Sequence, residues 1–193
     1  MRRLLSFYCE RLHRTIYFES PYWRVSQAPF ISENESTMIQ ISIPGFEPVS
    51  LHHLVADFSG TLSVDGTLVP GVKERLNRLS ESLEIHILTA DTHGGASLAL
   101  EGVHARLSIL EGEIHTQTKA EYVRSLGTDR VVAVGNGNND RKMLKIARIS
   151  IAVCLEEGCA VRAFQNADIL VHSATDALDL LLHPNRLIAG LRV

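Results

Sequence analysis

One short stretch indicates the fold: Leu54-Val55-Ala56-Asp57-Phe58-Ser59-Gly60-Thr61-Leu62. An apolar run ends in the carboxylate of Asp57, and small, flexible residues follow at once. Strands covered by helices on both faces have such continuous apolar sequences. Their carboxyl ends open into the crevice where α/β sheets bind ligands, and Gly60 allows a sharp turn close to a bound anion. The stretch therefore predicts a buried central strand with Asp57 at the mouth of a crevice.

Further apolar strands alternate with helical patterns along the chain. Strands are predicted at 39–43, 53–58, 85–89, 106–110, 131–134, 149–153 and 168–171. Helices are predicted from Pro70-Gly71 onward, at 96–100, at 116–126 with Thr116 or Thr118 as cap, around 143–146 and at 176–182. Asp65-Gly66 predicts a small β-hairpin directly after Asp57. This alternation predicts an α/β fold with a doubly wound parallel sheet in three layers.

Composition excludes several classes of function. The net charge of −3 gives no reason to expect a nucleic-acid partner. No stretch approaches the ~20 apolar residues of a membrane-spanning helix, so no membrane partner is expected. The three cysteines form no CxxC pair, which favours a reducing cytosol over a disulfide framework or zinc site. We therefore expect a cytoplasmic protein.

The composition changes at Met38. Residues 1–37 hold Trp23 and most of the aromatic residues, and they end in a polar run over 32–37. We interpret them as an appendage or non-native upstream sequence, which is poorly ordered or at most forms a loosely attached helix around Leu4 to Tyr17. The alternative is an arm that docks on a partner subunit or a membrane surface. Residues 38–193 are predicted to form one catalytic domain.

Four features fall at the carboxyl ends of predicted strands or at a helix start near them: Asp57, Thr89, Lys119 and the loop 135–140. In a parallel sheet such positions converge on one crevice. A carboxylate can attack phosphorus and carry the phosphoryl group. A hydroxyl and a lysine can hold its oxygens, and a loop of Asn and Asp can bind Mg²⁺. The pattern is typical of phosphoryl transfer.

The same motifs resemble those of the haloacid dehalogenase (HAD) superfamily. The run 57–62, Thr89, Lys119 and the Gly-Asn-Gly-x-Asn-Asp loop are similar to the phosphorylation domain of P-type ATPases. From Met38 onward the chain looks like the small soluble P-type ATPase group of that superfamily. The resemblance implies a HAD core and a Mg²⁺-dependent phosphohydrolase that works through an aspartyl phosphate.

Carried over position by position, the resemblance assigns three overlapping sets of residues. Asp57 is the nucleophile, and Thr89 and Lys119 complete the catalytic set. The residues implied to bind phosphate are Ser59, Gly60, Thr61, Thr89 and Lys119. The residues implied to hold Mg²⁺ are Asp57, Ser59 through its carbonyl, Asn136 and Asp140.

Two departures from the family pattern matter. Related phosphatases carry a general acid and base Asp where this chain has Ser59, and a metal-binding Asp where it has Asn136. General acid–base catalysis contributes about 10²–10⁴-fold, so turnover should be slow. The alternative is a phosphate-sensing or partner-binding module with little turnover.

Neither usual cap-domain site has room for a cap. The open crevice suits a large phosphorylated substrate, or a homo-oligomer in which a neighbouring subunit closes it. Asp91 is interpreted as a helix cap and His93 as a loop residue. Five other histidines show no metal-ligand spacing and are interpreted as ordinary residues: His52, His53, His86, His104 and His115.

Overall fold

The computed structural model describes residues 23–25, 38–90 and 95–193. The strands are β1 Trp23–Val25, β2 Ile39–Ile41, β3 Val49–Leu51, β4 His53–Asp57, β5 Ser63–Val64, β6 Thr67–Leu68, β7 Glu84–Thr89, β8 Arg106–Leu110, β9 Val131–Gly135, β10 Ile149–Val153 and β11 Ile169–Val171. The helices are α1 Val72–Leu79, α2 Gly95–Ala99, α3 His115–Leu126, α4 Arg141–Ile146, α5 Val161–Phe164, α6 Ala174–Leu182 and α7 Pro184–Leu191.

The main sheet has the strand order β1-β8-β7-β4-β9-β10-β11. The six strands β8, β7, β4, β9, β10 and β11 pair with their neighbours in parallel. At the edge of the sheet, β1 pairs antiparallel with β8. The chain winds outward from β4 in one direction through β7 and β8, and then in the other through β9, β10 and β11. The change of direction lies between β4 and β9, where such sheets bind ligands. The predicted doubly wound parallel sheet is confirmed.

Alternate residues of the central strands supply two apolar cores. On one face Leu54 and Ala56 pack in a cluster with side chains of α1 and α6. On the other face Val55 packs in a cluster with Tyr122 of α3 and Met143 of α4. Both faces of the sheet are therefore covered, which explains why the strands are apolar without alternation. The three-layer arrangement holds the carboxyl end of β4 rigidly between helices.

Several predicted elements differ in detail. β2 pairs antiparallel with β3 in a separate two-stranded sheet and is not part of the main sheet. The predicted threonine cap of α3 is wrong, because the N-cap residue is Ile114 and makes no side-chain cap hydrogen bond. Helices α5 and α7 were not predicted. Within the described residues, 58–83 contain only the β5–β6 hairpin and α1, and only 111–114 separate β8 from α3, so neither segment has room for a further domain.

Three residues of the predicted extension take part in the main sheet. Trp23–Val25 form β1, with Trp23 opposite Leu110 and Val25 opposite Ser108. The expected helix around Leu4 to Tyr17, the Asp91 cap and His93 lie outside the described residues. The boundary between 1–37 and 38–193 stays a prediction. Among the described residues no helix is long and apolar enough to cross a membrane.

Candidate active site

A tight turn follows Asp57 and shapes the floor of the crevice. The Phe58 carbonyl accepts hydrogen bonds from the backbone nitrogens of Leu62 at 2.9 Å and Ser63 at 3.0 Å. Gly60 has φ +70°, and a β-carbon at this position would overlap the Asn136 amide nitrogen. Only glycine therefore combines this left-handed backbone with the close approach of Asn136.

The hairpin predicted from Asp65-Gly66 stands directly after this turn. Asp65 and Gly66 have φ values of 49° and 76°. Positive φ at both central residues is what a type I′ turn between paired strands requires. The β5–β6 hairpin is therefore confirmed as a small flap beside the crevice.

Asp57, Lys119 and Asp140 form a buried ionic array at the carboxyl edge of the sheet. The Lys119 ammonium group donates hydrogen bonds to Asp57 Oδ1 and, at 2.7 Å, to Asp140 Oδ1. Lys119 is 1% exposed, Asp57 6% and Asp140 0%. Breaking such a buried pair would leave an uncompensated charge in the interior. The three side chains therefore hold one another in fixed positions.

Asp140 also organises the loop that follows β9. Its Oδ2 accepts hydrogen bonds from the backbone nitrogens of Asn136 at 3.1 Å and Gly137 at 2.8 Å. A β-carbon on Gly135 would lie 2.7 Å from Asp140 Cβ, so the carboxylate needs glycine there. Both oxygens of Asp140 thus contact protein donors, which fix the loop and orient Lys119.

Asn136 and Asp57 direct oxygen atoms toward one hydroxyl group. Thr61 Oγ1 lies 3.1 Å from Asp57 Oδ2 and 3.1 Å from Asn136 Oδ1. The Asn136 amide nitrogen donates to the Gly158 carbonyl at 3.0 Å, which keeps Oδ1 turned toward the crevice. Because a hydroxyl has one hydrogen, it can satisfy only one of the two oxygens at a time.

These oxygens fit a hard divalent cation. Ser59 is exposed, and among the described residues its carbonyl oxygen accepts no recorded hydrogen bond. Together with Asp57 and Asn136 it offers carboxylate, amide and backbone oxygens, the donor types that Mg²⁺ takes. One of the three is an anion, so the set is weaker in charge than one with two carboxylates. The residues present therefore fit Mg²⁺.

Burial controls the ionisation of the array. Desolvation, reinforced by the carboxylate of Asp140, raises the pKa of Asp57 to about 6, although Lys119 and Thr61 act in the opposite direction. Desolvation alone would lower the pKa of Lys119, but the carboxylates of Asp140 and Asp57 raise it above its ordinary value. Lys119 is consequently charged throughout the neutral range, while Asp57 ionises close to that range.

The structure brings most of the sequence-predicted residues together. Direct contacts connect Asp57 with Lys119 and Thr61, and these in turn with Asp140 and Asn136. Ser59 and Gly60 lie in the turn after Asp57. Thr89 is 2% exposed at the carboxyl end of β7, one position beyond Leu88, the register partner of Asp57. The roles in catalysis and metal binding that the sequence analysis assigns to these site residues stay predictions.

The loop after β10 was missed from the sequence. Glu157 Oε1 accepts a hydrogen bond from the Asp65 backbone nitrogen at 2.9 Å, and Gly158 holds the Asn136 side chain. Glu157 also contacts the position where Gly60 would carry a β-carbon. The available signal was its place just beyond the carboxyl end of a parallel strand. Glu157 therefore holds the flap beside the same crevice.

Comparison with known proteins gives two curated relatives and many similar folds. The uncharacterized protein MJ0073 of Methanocaldococcus jannaschii is 40% identical over 88 residues, which is 46% of this chain and 85% of that protein. The uncharacterized protein MJ0072 of the same organism is 51% identical over 39 residues, 20% of this chain and 89% of that protein. No family model matches the chain.

Several solved structures of similar fold are named as HAD hydrolases or phosphatases. A Legionella pneumophila structure named as a putative HAD superfamily (subfamily III A) hydrolase has a TM-score of 0.58 and 15% identity, covering 73% of this chain and 87% of that one. For 3-deoxy-D-manno-octulosonate 8-phosphate phosphatase from Moraxella catarrhalis, in complex with magnesium and phosphate ions and a KDO molecule, the TM-score is 0.56, the identity 15% and the coverage 74% and 94%. Phosphoserine phosphatase in its apo form has a TM-score of 0.54 and 15% identity, covering 69% of this chain and 98% of that one. At such identity these likenesses show a shared fold.

Proposed function

We propose that this chain, which belongs to the same protein family as MJ0073 and MJ0072 of Methanocaldococcus jannaschii, is a phosphohydrolase. In the proposed reaction Asp57 attacks a phosphate monoester and carries the phosphoryl group. The observation that carries this proposal is the Asp57–Lys119–Asp140 array at the carboxyl edge of a HAD-type sheet. The phosphatases among the proteins of similar fold add support.

The chemistry has two steps in which Asp57 is first nucleophile and then leaving group. A carboxylate oxygen of Asp57 forms a bond to phosphorus as the bond from phosphorus to the ester oxygen breaks. Water then attacks the phosphorus, and the carboxylate leaves as inorganic phosphate forms. Lys119 lies against the attacking carboxylate, so its charge offsets the negative charge that develops on the transferred group.

Asp57, Asn136 and the Ser59 carbonyl are the residues that would hold Mg²⁺. The ion supplies positive charge that stabilises the phosphoryl oxygens in the transition state. In this proposal Asp140 acts through Lys119 and the 135–140 loop, because its own oxygens already accept hydrogen bonds from them. The neutral Asn136 predicts weaker Mg²⁺ binding than an aspartate would give.

Ser59 makes the proposed hydrolysis slow. Its hydroxyl cannot protonate the departing alkoxide or take a proton from the attacking water at neutral pH as a carboxyl group can. Both protons must then be exchanged with solvent, which reaches the exposed Ser59 freely. We therefore expect slow departure of the leaving group and slow breakdown of the aspartyl phosphate.

Phosphate release from a panel of phosphomonoesters, including p-nitrophenyl phosphate, tests the proposal. Wild-type protein should show Mg²⁺-dependent release that Asp57→Asn abolishes. Ser59→Asp should raise the rate, up to about 10²–10⁴-fold if acid–base catalysis is all that is missing. Ser82→Asp is the matched control, since Ser82 lies in the turn before β7 at the other end of the sheet.

The same panel separates the second candidate function. Ser59 and Asn136 remove two carboxylates from the pattern of the HAD superfamily, which is what a phosphate-sensing or partner-binding module would show. No release by wild type and none by a folded Ser59→Asp variant would favour that module. Unchanged release by Asp57→Asn would contradict the proposed site altogether.

Two finer features belong to the same proposal. The motifs at 57–62 and 135–140 support placement near the soluble P-type ATPase group, and no nucleotide-binding domain is inserted between β4 and β7, so ATP should be a poor substrate. The capless crevice suits a large phosphorylated substrate or closure by a second subunit. Light scattering at micromolar concentration tests the latter, and a strictly monomeric protein would contradict it.

A further inference from the structure

A second group of polar side chains lies at the amino ends of the central strands β4 and β7, opposite the carboxyl ends where Asp57 lies. His53 begins β4, while Glu84 begins β7 and His86 follows two positions later. The parallel register places His53 opposite Glu84 and Val55 opposite His86. Because residues two apart on a strand share a face, all three side chains lie on the same face of the sheet. The four steps from His53 to Asp57 separate the two groups by roughly 13 Å.

The three side chains converge on a small space. His53 Nδ1 lies 3.2 Å from His86 Nε2, and Glu84 Oε2 lies 3.7 Å from the first and 3.8 Å from the second. The point equidistant from these atoms, the circumcentre of a triangle with sides 3.2, 3.7 and 3.8 Å, is about 2.1 Å from each. Zinc bonds to imidazole nitrogen and carboxylate oxygen are about 2.0–2.2 Å long. Within the described residues, this is the group of three or more His, Cys, Asp or Glu side chains whose ligand atoms lie close enough together to share a metal ion.

The ring of His86 is held in the orientation that a ligand needs. Its Nδ1 lies 3.0 Å from the hydroxyl of Tyr122, and the two rings meet edge to face. His86 is 1% exposed and Tyr122 6%, so neither ring can turn easily. The other ring nitrogen, Nε2, lies within hydrogen-bond distance of His53 Nδ1. When Nδ1 donates to an outer partner such as this hydroxyl, Nε2 carries the lone pair that binds a metal. His86 Nε2 is therefore directed at the cluster.

We propose that His53, Glu84 and His86 bind a divalent transition-metal ion of the zinc class, with a fourth position open to water. Two imidazoles and one carboxylate are ligands that zinc accepts. The Glu84 side chain is 50% exposed and His53 16%, which gives the ion a route from solvent. The ion cross-links the first residues of β4 and β7, the strands that carry Asp57 and Thr89 at their other ends.

The charges around the cluster are compatible with an ion at neutral pH. Burial lowers the pKa of His86 well below its ordinary value, with His53 and Arg106 acting in the same direction. Burial also lowers the pKa of His53, against the raising effect of Glu84 and with smaller contributions from His52, Arg106 and Arg130. Both rings are therefore neutral ligands. Arg106 Nη2, 3.8 Å from Glu84 Oε2, is the competing cation for the carboxylate.

Titration of the full chain with Zn²⁺ tests the proposal. Protein stripped with a chelator is titrated by calorimetry in excess Mg²⁺, which occupies the hard-oxygen site near Asp57. Wild type should bind Zn²⁺ saturably at this cluster and gain thermal stability. His53→Gln and Glu84→Gln change the first residues of β4 and β7, and each should lower the number of ions bound by one. His52→Gln, the neighbouring histidine, should leave the number unchanged.

Tyr122→Phe distinguishes a metal site from a merely structural cluster. The change removes the hydroxyl that contacts His86 Nδ1 and, at 3.5 Å, Ser108 Oγ, and it should weaken Zn²⁺ binding about 10- to 100-fold. With Co²⁺ in place of Zn²⁺, wild type should show the visible absorption of a four-coordinate ion, and Glu84→Gln should lose it. Two results would overturn the proposal: no saturable binding by wild type, or a stoichiometry and affinity in His53→Gln and Glu84→Gln that equal those of wild type.

Discussion

The Lys119 ammonium group donates a hydrogen bond to the carboxylate of Asp57, although 62 positions separate the two residues in the chain. The Lys119 side chain is 1% exposed and that of Asp57 9%. Asp140 adds a second carboxylate 2.7 Å from the same ammonium group. Two buried carboxylates facing one buried ammonium leave a net negative charge. A divalent cation on the other side of Asp57 would more than offset this charge, which links the ion pair to the proposed Mg²⁺ site.

Removing Lys119 should damage both stability and activity. Lys119→Met leaves the carboxylates of Asp57 and Asp140 buried without a cation, which typically costs about 3–5 kcal/mol in the free energy of unfolding. Urea unfolding measures this loss, and phosphate release should vanish. Lys142→Met is the control, because Lys142 is exposed on α4 and its loss should change stability by less than about 0.5 kcal/mol. Equal stability of the two variants would contradict a buried ionic array.

The ionisation of Asp57 should appear in the stability of the metal-free protein. Its pKa is raised from 3.8 to about 6, first by burial and then by Asp140. Because the folded-state pKa is the higher one, the protonated carboxyl stabilises the fold below about pH 4, and this contribution is lost as the pH rises to about 6. The shift of about two units corresponds to about 3 kcal/mol.

Asp57→Asn removes this titration and serves as the comparison. The free energy of unfolding of wild type, measured with urea and a chelator, should fall relative to that of Asp57→Asn between about pH 4 and pH 6. Above this window the difference should stay constant. Parallel pH profiles for the two proteins would show that Asp57 ionises with an ordinary pKa.

Two glycines with similar backbones allow a matched comparison. Gly60 has φ +70° and Gly66 φ +76°, so alanine at either place strains the backbone by about 1–2 kcal/mol. At Gly66 no heavy atom lies within 4 Å of the added carbon, whereas at Gly60 it overlaps the Asn136 side chain. Gly60→Ala should therefore abolish phosphate release and weaken Mg²⁺ binding, while Gly66→Ala keeps both. Equal activity of the two variants would contradict the close packing of the turn on Asn136.

Periodicity predicted the long buried elements well. Strands β7 to β10 and the β5–β6 hairpin follow the predicted segments closely, because apolar runs and Asp-Gly turns are local signals. β3 was missed because antiparallel pairing with β2 holds it in place, and no pattern within its own three residues shows that pairing. α5 has only four residues and depends on tertiary contacts in the same way.

The site shows the same division between local and distant information. Asp57, Lys119 and the 135–140 loop follow from strand ends and motifs, and the structure places them in contact. Glu157 was missed because its hydrogen bond to Asp65 spans 92 positions. His53 and His86 were interpreted as ordinary because they are 33 positions apart in the sequence, which does not suggest a shared metal ion. The parallel pairing of β4 and β7 nevertheless brings their rings together.

A chain that begins at Met38 should fold and keep the activity of the full chain. The six parallel strands and both apolar cores lie within residues 38–193. Such a chain lacks β1, so the outer edge of β8 loses its short antiparallel partner. Limited proteolysis of the full chain should stop at a stable core near Met38. A truncated chain that fails to fold, or a protected N-terminal segment, would show that β1 is needed.

Transfer of a phosphoryl group to Asp57 is the central claim, and it can be measured directly. The full chain is incubated in Mg²⁺ with acetyl phosphate as donor, quenched in acid and mapped by mass spectrometry, with Asp57→Asn treated in parallel. Slow breakdown of the intermediate, expected because Ser59 replaces an acid, should help the phosphorylated form to accumulate. The account predicts one acid-stable, hydroxylamine-sensitive phosphoryl group on Asp57 of wild type and none on the variant. Phosphate release without any phosphorylation of Asp57, or equal labelling of Asp57→Asn, would contradict it.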